Sequence, residues 1–179
     1  MPSLCGIDEA GRGPLAGDLV IAGVVLTQEI EGLMDSKKLT EKRREELYPL
    51  IIANSTHHIV SFSPQEIDQD GLSSCLAKGL ESIQKNLSAD IYLFDGNQTF
   101  GILNIQTMIK ADTKVAEVSA ASILAKVTHD RAIIKASKEF PLYGFEKHKG
   151  YGTKAHIEAI TKHGLSAIHR HSFKIKGIN

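Results

Sequence analysis

Residues 6–17 decide how this chain folds, and they read Gly6-Ile7-Asp8-Glu9-Ala10-Gly11-Arg12-Gly13-Pro14-Leu15-Ala16-Gly17. Apolar residues flank the stretch, with Leu4 to Ile7 before it and Leu19 to Leu26 after it. This pattern predicts a strand that ends at the acidic pair, a tight glycine turn and a strand that returns. Adjacent strand residues point to opposite faces, so Asp8 and Glu9 can bind one ion only if the chain bends there. Glycine permits such a bend, and we therefore predict a divalent-metal site beside exposed backbone.

The composition is that of an ordinary globular protein. The chain has 179 residues, of which 42% are hydrophobic and 23% charged, and this predicts one domain over residues 1–179. No secretory signal is visible at the N-terminus, and the apolar run Leu19 to Leu26 is too short for a membrane helix. Two cysteines, Cys5 and Cys75, provide no disulfide framework. We expect a cytoplasmic protein without a membrane partner, and a monomer by default.

The formal net charge is zero, which disfavours a protein that coats nucleic acid by bulk attraction. The charge is nevertheless uneven, because no Asp or Glu follows Glu158 whereas lysines, an arginine and histidines do. The short basic segment at about 159–179 therefore predicts a strip that faces phosphates. A solvated tail is an equally good interpretation of the charge alone.

Hydrophobic periodicity predicts strands alternating with helices after an initial run of strands. The predicted strands are Ser3–Ile7, Leu19–Leu26, His58–Phe62, Ile91–Phe94 and Asn104–Lys110. The predicted helices are Glu41–Ala53 with Thr40 as N-cap, a region from the Ser63-Pro64-Gln65-Glu66 cap to Leu87 that breaks near Gly71, Lys114–Ser137 and His156–His163. Such an order indicates a mixed sheet covered by helices.

Acidic residues occupy the predicted strand ends. Asp8 and Glu9 follow the first strand, Asp95 follows the fourth, and Asp112 precedes the long helix. Clustered carboxylates repel one another without cations, and hard oxygen ligands suit Mg²⁺ or Mn²⁺. Two such ions about 3.5–4 Å apart can flank a phosphodiester, one preparing the water and the other stabilising the leaving oxygen. Taken singly, Asp95 is more typical of a turn and Asp112 of a helix N-cap.

Several motifs occur in the order found in one enzyme family. They are residues 6–17, Asp35-Ser36-Lys37-Lys38-Leu39, Asp95-Gly96-Asn97, Ala120-Ala121-Ser122-Ile123-Leu124-Ala125-Lys126-Val127, Lys149-Gly150-Tyr151-Gly152-Thr153 and His169-Arg170-His171-Ser172-Phe173. With this ordered set, which spans nearly the whole chain, the sequence resembles ribonuclease HII, the type 2 ribonuclease H of bacteria.

The resemblance implies an α/β, ribonuclease H-like fold: a five-stranded mixed sheet, its first three strands antiparallel, flanked by helices. It implies a metal-dependent endonuclease that cuts the RNA strand of RNA/DNA hybrids and incises 5′ to single ribonucleotides in duplex DNA, leaving 3′-hydroxyl and 5′-phosphate ends. The family's catalytic, metal-binding acids correspond to Asp8, Glu9, Asp95 and Asp112, which would hold two Mg²⁺ or Mn²⁺ ions.

The resemblance also assigns substrate-binding residues. Gly11, Arg12 and Gly13 would bring backbone against the 2′-hydroxyl, the group that distinguishes RNA from DNA, and Tyr151 would stack at the junction sugar. Phosphate contacts fit Lys37, Lys38, Arg170 and Ser172. Lys126 fits a structural ion pair equally well. The partners implied are RNA/DNA hybrid and ribonucleotide-containing DNA duplex, and protein partners are unknown from the sequence.

Three alternatives fit the sequence less well than this assignment. Ribonuclease HIII is expected to carry an additional N-terminal domain and a glycine motif different from Gly11-Arg12-Gly13. A non-catalytic nucleic-acid-binding module is disfavoured because all four acids are present. A carboxylate-metal phosphatase for small phosphoesters is disfavoured by the basic residues and by Tyr151. One departure from the family pattern is Asp18, which stands where proline is usual and is interpreted as a surface substitution.

Overall fold

The structure is a computed structural model that describes residues 2–33, 39–175 and 177. Its sheet has five strands in the order β3-β2-β1-β4-β5. The bounds are β1 Leu4–Ala10, β2 Leu19–Leu26, β3 Ser55–Phe62, β4 Ile91–Asp95 and β5 Gln106–Met108. The first three strands are mutually antiparallel, whereas β4 runs parallel to β1 and β5 parallel to β4. The predicted mixed sheet is therefore confirmed, although its fifth strand is shorter than Asn104–Lys110.

Six α-helices are found in the described part of the chain, and a short 3-10 helix, Ala111–Thr113, precedes the longest of them. Their bounds are α1 Glu41–Ala53, α2 Pro64–Asp70, α3 Leu72–Asn86, α4 Ala116–Ser137, α5 Phe145–His148 and α6 Lys154–His163. Thr40 caps α1, and the Ser63/Glu66 capping box begins α2, both as predicted. The predicted break near Gly71 is a residue with φ +84° that separates α2 from α3.

The two faces of the sheet are covered by different helices. On one face Cys5, Ile7 and Ile21 pack with buried residues of α3. On the other face Val20 and Ala22 pack with buried alanines and leucines of α1 and α4. Among the described residues, no helix is both long and apolar enough to cross a membrane.

Backbones approach very closely where α4 crosses β1. A Cβ atom placed on Gly6 would lie 2.2 Å from the carbonyl carbon of Glu117 and from the backbone nitrogen of Val118. The same helix surface carries only small side chains at the buried positions Ala120, Ala121 and Ala125, so α4 can lie close to the sheet. This contact brings the start of α4, with the acidic 3-10 helix before it, onto the strand that carries Asp8.

The first strand does not end at the acidic pair. Its antiparallel pairing with β2 continues through Asp8↔Ala22, Glu9↔Ile21 and Ala10↔Val20. The predicted bend at this pair is therefore wrong, because an unbroken ladder keeps the strand extended. By strand alternation Asp8 points to the α4 face with Gly6, and Glu9 points to the face that carries Ile7.

Candidate active site

Three carboxylates converge beside the start of α4. The parallel register Ile7↔Phe94 places Asp8 next to Asp95, and the 3-10 helix supplies Asp112. Each of the three offers a carboxylate oxygen, and these oxygens lie within 4.8 Å of one another. Asp112 is fully buried inside that 3-10 helix, and Val115 holds the N-cap position of α4, so the N-cap interpretation of Asp112 is wrong.

This acidic cluster is electrostatically strained. Burial, followed by the charges of Glu9 and Asp95, raises the pKa of Asp8 well above its usual 3.8. One oxygen of Asp8 accepts a hydrogen bond of 2.8 Å from the Glu9 amide, which opposes the shift without cancelling it. Ala111 donates its N–H to Asp95 at 3.2 Å, which orients the second carboxylate. Close, buried oxygens of one sign are a donor set suited to a hard divalent cation.

Glu9 borders this cluster but is not one of its three members. Its Oε1 accepts a hydrogen bond of 3.2 Å from Nη1 of Arg12. Burial raises the pKa of Glu9, and the charge of Asp95 adds to the rise. Its other oxygen, Oε2, is buried and has no hydrogen-bond partner among the described residues. A buried, unsatisfied carboxylate oxygen next to Asp8 fits a group that is completed by a bound cation.

A cleft of about 370 Å³ is lined by Glu9 and by Ser122, whose side chain hydrogen-bonds Asp8. Its walls include Glu9, the turn from Ala10 to Gly13, and Tyr151. Gly11 has φ +90°, and a Cβ there would lie 2.4 Å from the carbonyl oxygen of Asp18. Only glycine fits that position, because both the dihedral and the space exclude a side chain. A Cβ on Gly13 would lie 3.7 Å from Cε1 of Tyr151, so the two walls of the cleft face each other closely.

Comparison with known proteins decides the family. The family model described as Ribonuclease HII matches residues 5–176. The chain belongs to the ribonuclease HII family. It is therefore a hydrolase of the metal-dependent nuclease class, and the alternative of ribonuclease HIII is not supported.

Individual relatives agree with this family. The chain is 66% identical to a Ribonuclease HII of Sulfurovum sp. (strain NBC37-1), over 98% of this chain and 94% of that protein. The ribonuclease H2 structure from Pyrococcus horikoshii OT3 matches with a TM-score of 0.80 at 29% identity, over 96% of this chain and 94% of that one. The RNase HII in a PCNA complex from Archaeoglobus fulgidus gives 0.78 at 28% identity, covering 99% and 98%.

Arg170, which the ribonuclease HII resemblance assigned to a phosphate contact, has a different position. Its side chain is fully buried, and its nitrogens donate to the carbonyl oxygens of Gly11 at 2.5 Å, Arg12 at 3.2 Å and Gly17 at 2.8 and 3.0 Å. Burial lowers its pKa to about 10, so the guanidinium remains charged at neutral pH. The phosphate assignment is therefore wrong: Arg170 instead holds the carbonyls of the glycine turn.

The other predicted phosphate contacts fall in different places. Ser172 is exposed, and its hydroxyl donates to Asp68 Oδ1 at 2.5 Å. Lys37 and Lys38 lie outside the described residues. His169, also counted in the basic C-terminal segment, is fully buried, so this segment is not a continuous exposed strip.

Sequence reasoning assigned no role to two residues of the cleft, Ser122 and Arg44, which line it together with the glycine turn and Lys126. Lys126 forms the structural ion pair that was its alternative assignment, with Nζ 2.9 Å from Asp130 Oδ1, and it also lies 5.7 Å from the Tyr151 ring centre. The spacing of Ser122 and Lys126, one helical turn apart, was the available signal, since residues four apart share a face.

We predict that Asp8→Asn stabilises the protein when divalent ions are absent, because it removes one charge from the repelling cluster. The expected rise in melting temperature is about 2–4 °C, the shift that ~1 kcal/mol produces in a chain of this size. In the wild type the raised pKa of Asp8 means that the folded state binds more protons than the unfolded state, so stability falls as pH rises from 3.8 towards that pKa. The variant should lack this fall.

Thermal unfolding with EDTA and with Mn²⁺ measures this effect. Mn²⁺ should raise the melting temperature of the wild type and leave that of the variant nearly unchanged. Asp90→Asn is the matched control, because hydrogen bonds from Ser3 lower the pKa of that exposed carboxyl. A metal-free Asp8→Asn protein that melts below the wild type would contradict the prediction.

We predict that Arg170→Lys destabilises the fold by about 3 kcal/mol, since one ammonium cannot satisfy the buried carbonyls that the guanidinium serves. Urea unfolding measures the change. Arg131→Lys is the control, because Arg131 pairs with Glu45 in a half-exposed ion pair whose loss costs at most about 1 kcal/mol. Equal effects of the two substitutions would contradict the role assigned to Arg170.

Proposed function

We propose that this protein hydrolyses the RNA strand of RNA/DNA hybrids and incises duplex DNA on the 5′ side of single embedded ribonucleotides. The products would carry 3′-hydroxyl and 5′-phosphate ends. One observation carries the proposal: the cluster of Asp8, Asp95 and Asp112 lies beside a cleft formed by a bare glycine turn and a tyrosine. In the cell this activity would serve ribonucleotide excision and DNA replication, and we propose a cytoplasmic monomer.

Asp8, Glu9, Asp95 and Asp112 would hold the cofactor, which we propose to be two Mg²⁺ or Mn²⁺ ions. When bound, these ions would supply charge stabilisation at the phosphodiester and a water activated for attack. The donor set fits hard cations, because it consists of carboxylate oxygens with a buried, unpartnered oxygen at Glu9.

The backbone of the glycine turn and the ring of Tyr151 would recognise the sugar of the ribonucleotide. Absence of a side chain at the exposed Gly13 lets a nucleotide approach main-chain donors and acceptors closely, and the 2′-hydroxyl is the group that can use both. Gly11 contributes by giving the turn its shape, since its φ of +90° and the nearby Asp18 carbonyl exclude a side chain. Tyr151 is 41% exposed and faces the turn, so its ring is available for stacking. Arg12 is exposed, lines the cleft and is paired with Glu9, so it remains a proposed substrate contact on the side of the acids.

Cations around the cleft would contact the phosphates. Lys126 and Arg44 line it, and Lys37, Lys38 and Ser172 remain proposed contacts from the family resemblance. Such contacts position a duplex without reading its sequence. A small phosphoester would need none of the second wall formed by Tyr151, so the cleft favours a polymeric substrate over the phosphatase alternative.

The decisive test is incision of a labelled DNA duplex that bears one ribonucleotide, with Mg²⁺ or Mn²⁺. We expect cutting on the 5′ side of the ribonucleotide by the wild type and loss of nearly all turnover in Asp8→Asn, whose fold is checked by thermal unfolding. An all-DNA duplex is the substrate control. Binding without cutting by the wild type would favour the non-catalytic module, and wild-type rates in Asp8→Asn would remove Asp8 from the mechanism.

We predict that Tyr151→Ala lowers kcat/KM on the single-ribonucleotide duplex by about 10- to 100-fold, the range expected for loss of one stacking contact. Tyr151→Phe is the matched variant, because it keeps the ring and removes only the hydroxyl. Initial rates over a range of substrate concentrations measure both. Unchanged kcat/KM in the alanine variant would contradict stacking by Tyr151.

A further inference from the structure

Two buried histidines connect the Tyr151 loop to the segment that carries Arg170. His156, in the first turn of α6, and His169 are both fully buried, with their Nε2 atoms 3.0 Å apart. Nδ1 of His156 lies 2.9 Å from the Tyr151 carbonyl oxygen. On the far side, Nδ1 of His169 lies 2.8 Å from the Ser166 backbone nitrogen. None of these contacts has a place in the chemistry proposed above.

Backbone groups at both ends assign the direction of every hydrogen bond in this chain of contacts. The Ser166 N–H can only donate, so Nδ1 of His169 is the acceptor and carries no proton. A neutral His169 then has its proton on Nε2 and donates to Nε2 of His156. His156 in turn has its proton on Nδ1, which matches the Tyr151 carbonyl, a group that can only accept.

Both imidazoles must be neutral for this arrangement to hold. A proton on Nδ1 of His169 would face the Ser166 N–H, and a proton on Nε2 of His156 would face the proton of His169. Burial, followed by the proximity of His156, lowers the pKa of His169 to about 4, and burial also lowers the pKa of His156. The directional chain is therefore intact at neutral pH.

The same segment is fixed to the glycine turn by its backbone. His169 pairs with Ala16, Arg170 donates its N–H to the Leu15 carbonyl at 2.8 Å, and Gly17 donates to the Ile168 carbonyl at 2.9 Å. The adjacent guanidinium of Arg170 holds the carbonyls of the turn. Arg170 thus contacts the glycine turn on one side of the cleft. Its neighbour His169 is connected to Tyr151, on the other side, through His156.

We propose that His156 and His169 are positioning residues that set the Tyr151 backbone at a fixed distance from the glycine turn, and so determine how tightly a ribonucleotide junction is held. The proposal rests on the function assigned to Tyr151 above. Among the cleft-lining residues the histidines contact Tyr151, through the hydrogen bond from His156 to its carbonyl oxygen. They would therefore act on substrate binding through Tyr151 and leave the hydrolytic step unchanged.

His156→Phe tests the proposal with little loss of packing. The phenyl ring keeps the aromatic contacts with Phe145 and His148, whose ring centres lie 5.4 and 4.2 Å away, and removes both nitrogens. We expect KM for the single-ribonucleotide duplex to rise about ten-fold, the effect of one displaced hydrogen bond, with kcat within about two-fold of the wild type. His156→Asn restores a donor near the Nδ1 position and should recover part of the loss. His163→Phe, at an exposed position of the same helix, is the control.

A double-mutant cycle separates positioning from general stability. If His156 acts through Tyr151, His156→Phe should not raise KM further in a Tyr151→Ala protein. Additive effects of the two substitutions would overturn the proposal. An unchanged KM in an active His156→Phe enzyme would also overturn it while leaving the proposed function intact, whereas a wild type that cuts no substrate would remove both.

Nitrogen-15 NMR of the histidine side chains provides a test that needs neither activity nor a variant. At pH 7 we expect His156 with its proton on Nδ1 and His169 with its proton on Nε2. Tyr151→Ala keeps the carbonyl and should leave both tautomers unchanged. The opposite tautomer at either residue would overturn the proposed positioning by these hydrogen bonds, even if the enzyme cuts as proposed.

Discussion

The backbone of α4 lies directly on the backbone of β1 at Gly6, and the geometry of the acidic cluster depends on that contact. A methyl group at Gly6 would occupy the space of the Glu117 carbonyl carbon. Because the helix is held this close, Asp112 at its entrance reaches Asp8 on β1 and Asp95 on β4. A helix held a side chain farther away would leave Asp112 out of reach. The site therefore depends on a position where a side chain is absent.

The ion-binding arrangement opposes the stability of the protein that carries it. Burial of Asp8 among like charges and an unpartnered oxygen on Glu9 both cost folding free energy. Burial of apolar side chains where α3 packs on one face of the sheet and α4 on the other offsets this cost. Arg12 offsets part of it locally through Glu9. Such strain at a functional site is expected when the missing partner is a ligand.

Much of this fold could be predicted from local patterns. Several short-range signals predicted the observed structure correctly: the caps at Thr40 and Ser63, the break at Gly71 and the apolar strand that leads to Asp95. The neighbouring strands that bring Asp8 to Asp95 are a long-range feature, which the order of elements only suggested. The acids were recognised individually, whereas their approach within 4.8 Å required the folded chain.

Other features depend on tertiary contacts that local sequence does not encode. The unbroken strand through Glu9 follows from pairing with β2, which overrides the bending freedom of the nearby glycines. Arg170 resembled an exposed phosphate ligand because it stands among histidines and a serine, and only the fold shows the carbonyls that surround it. The pairing of His156 with His169 is equally invisible in the sequence, since thirteen positions separate them.

The bond from Arg170 to Gly11 spans 159 positions, and this separation has a consequence for how the protein matures. During synthesis the N-terminal turn leaves the ribosome first, long before the guanidinium that holds it is available. Until residue 170 emerges, the carbonyls of Gly11 and Gly17 lack this partner, and the turn cannot take its final shape. A nascent chain therefore completes this turn late, and the cleft that we propose to bind nucleic acid forms only after residue 170 has left the ribosome.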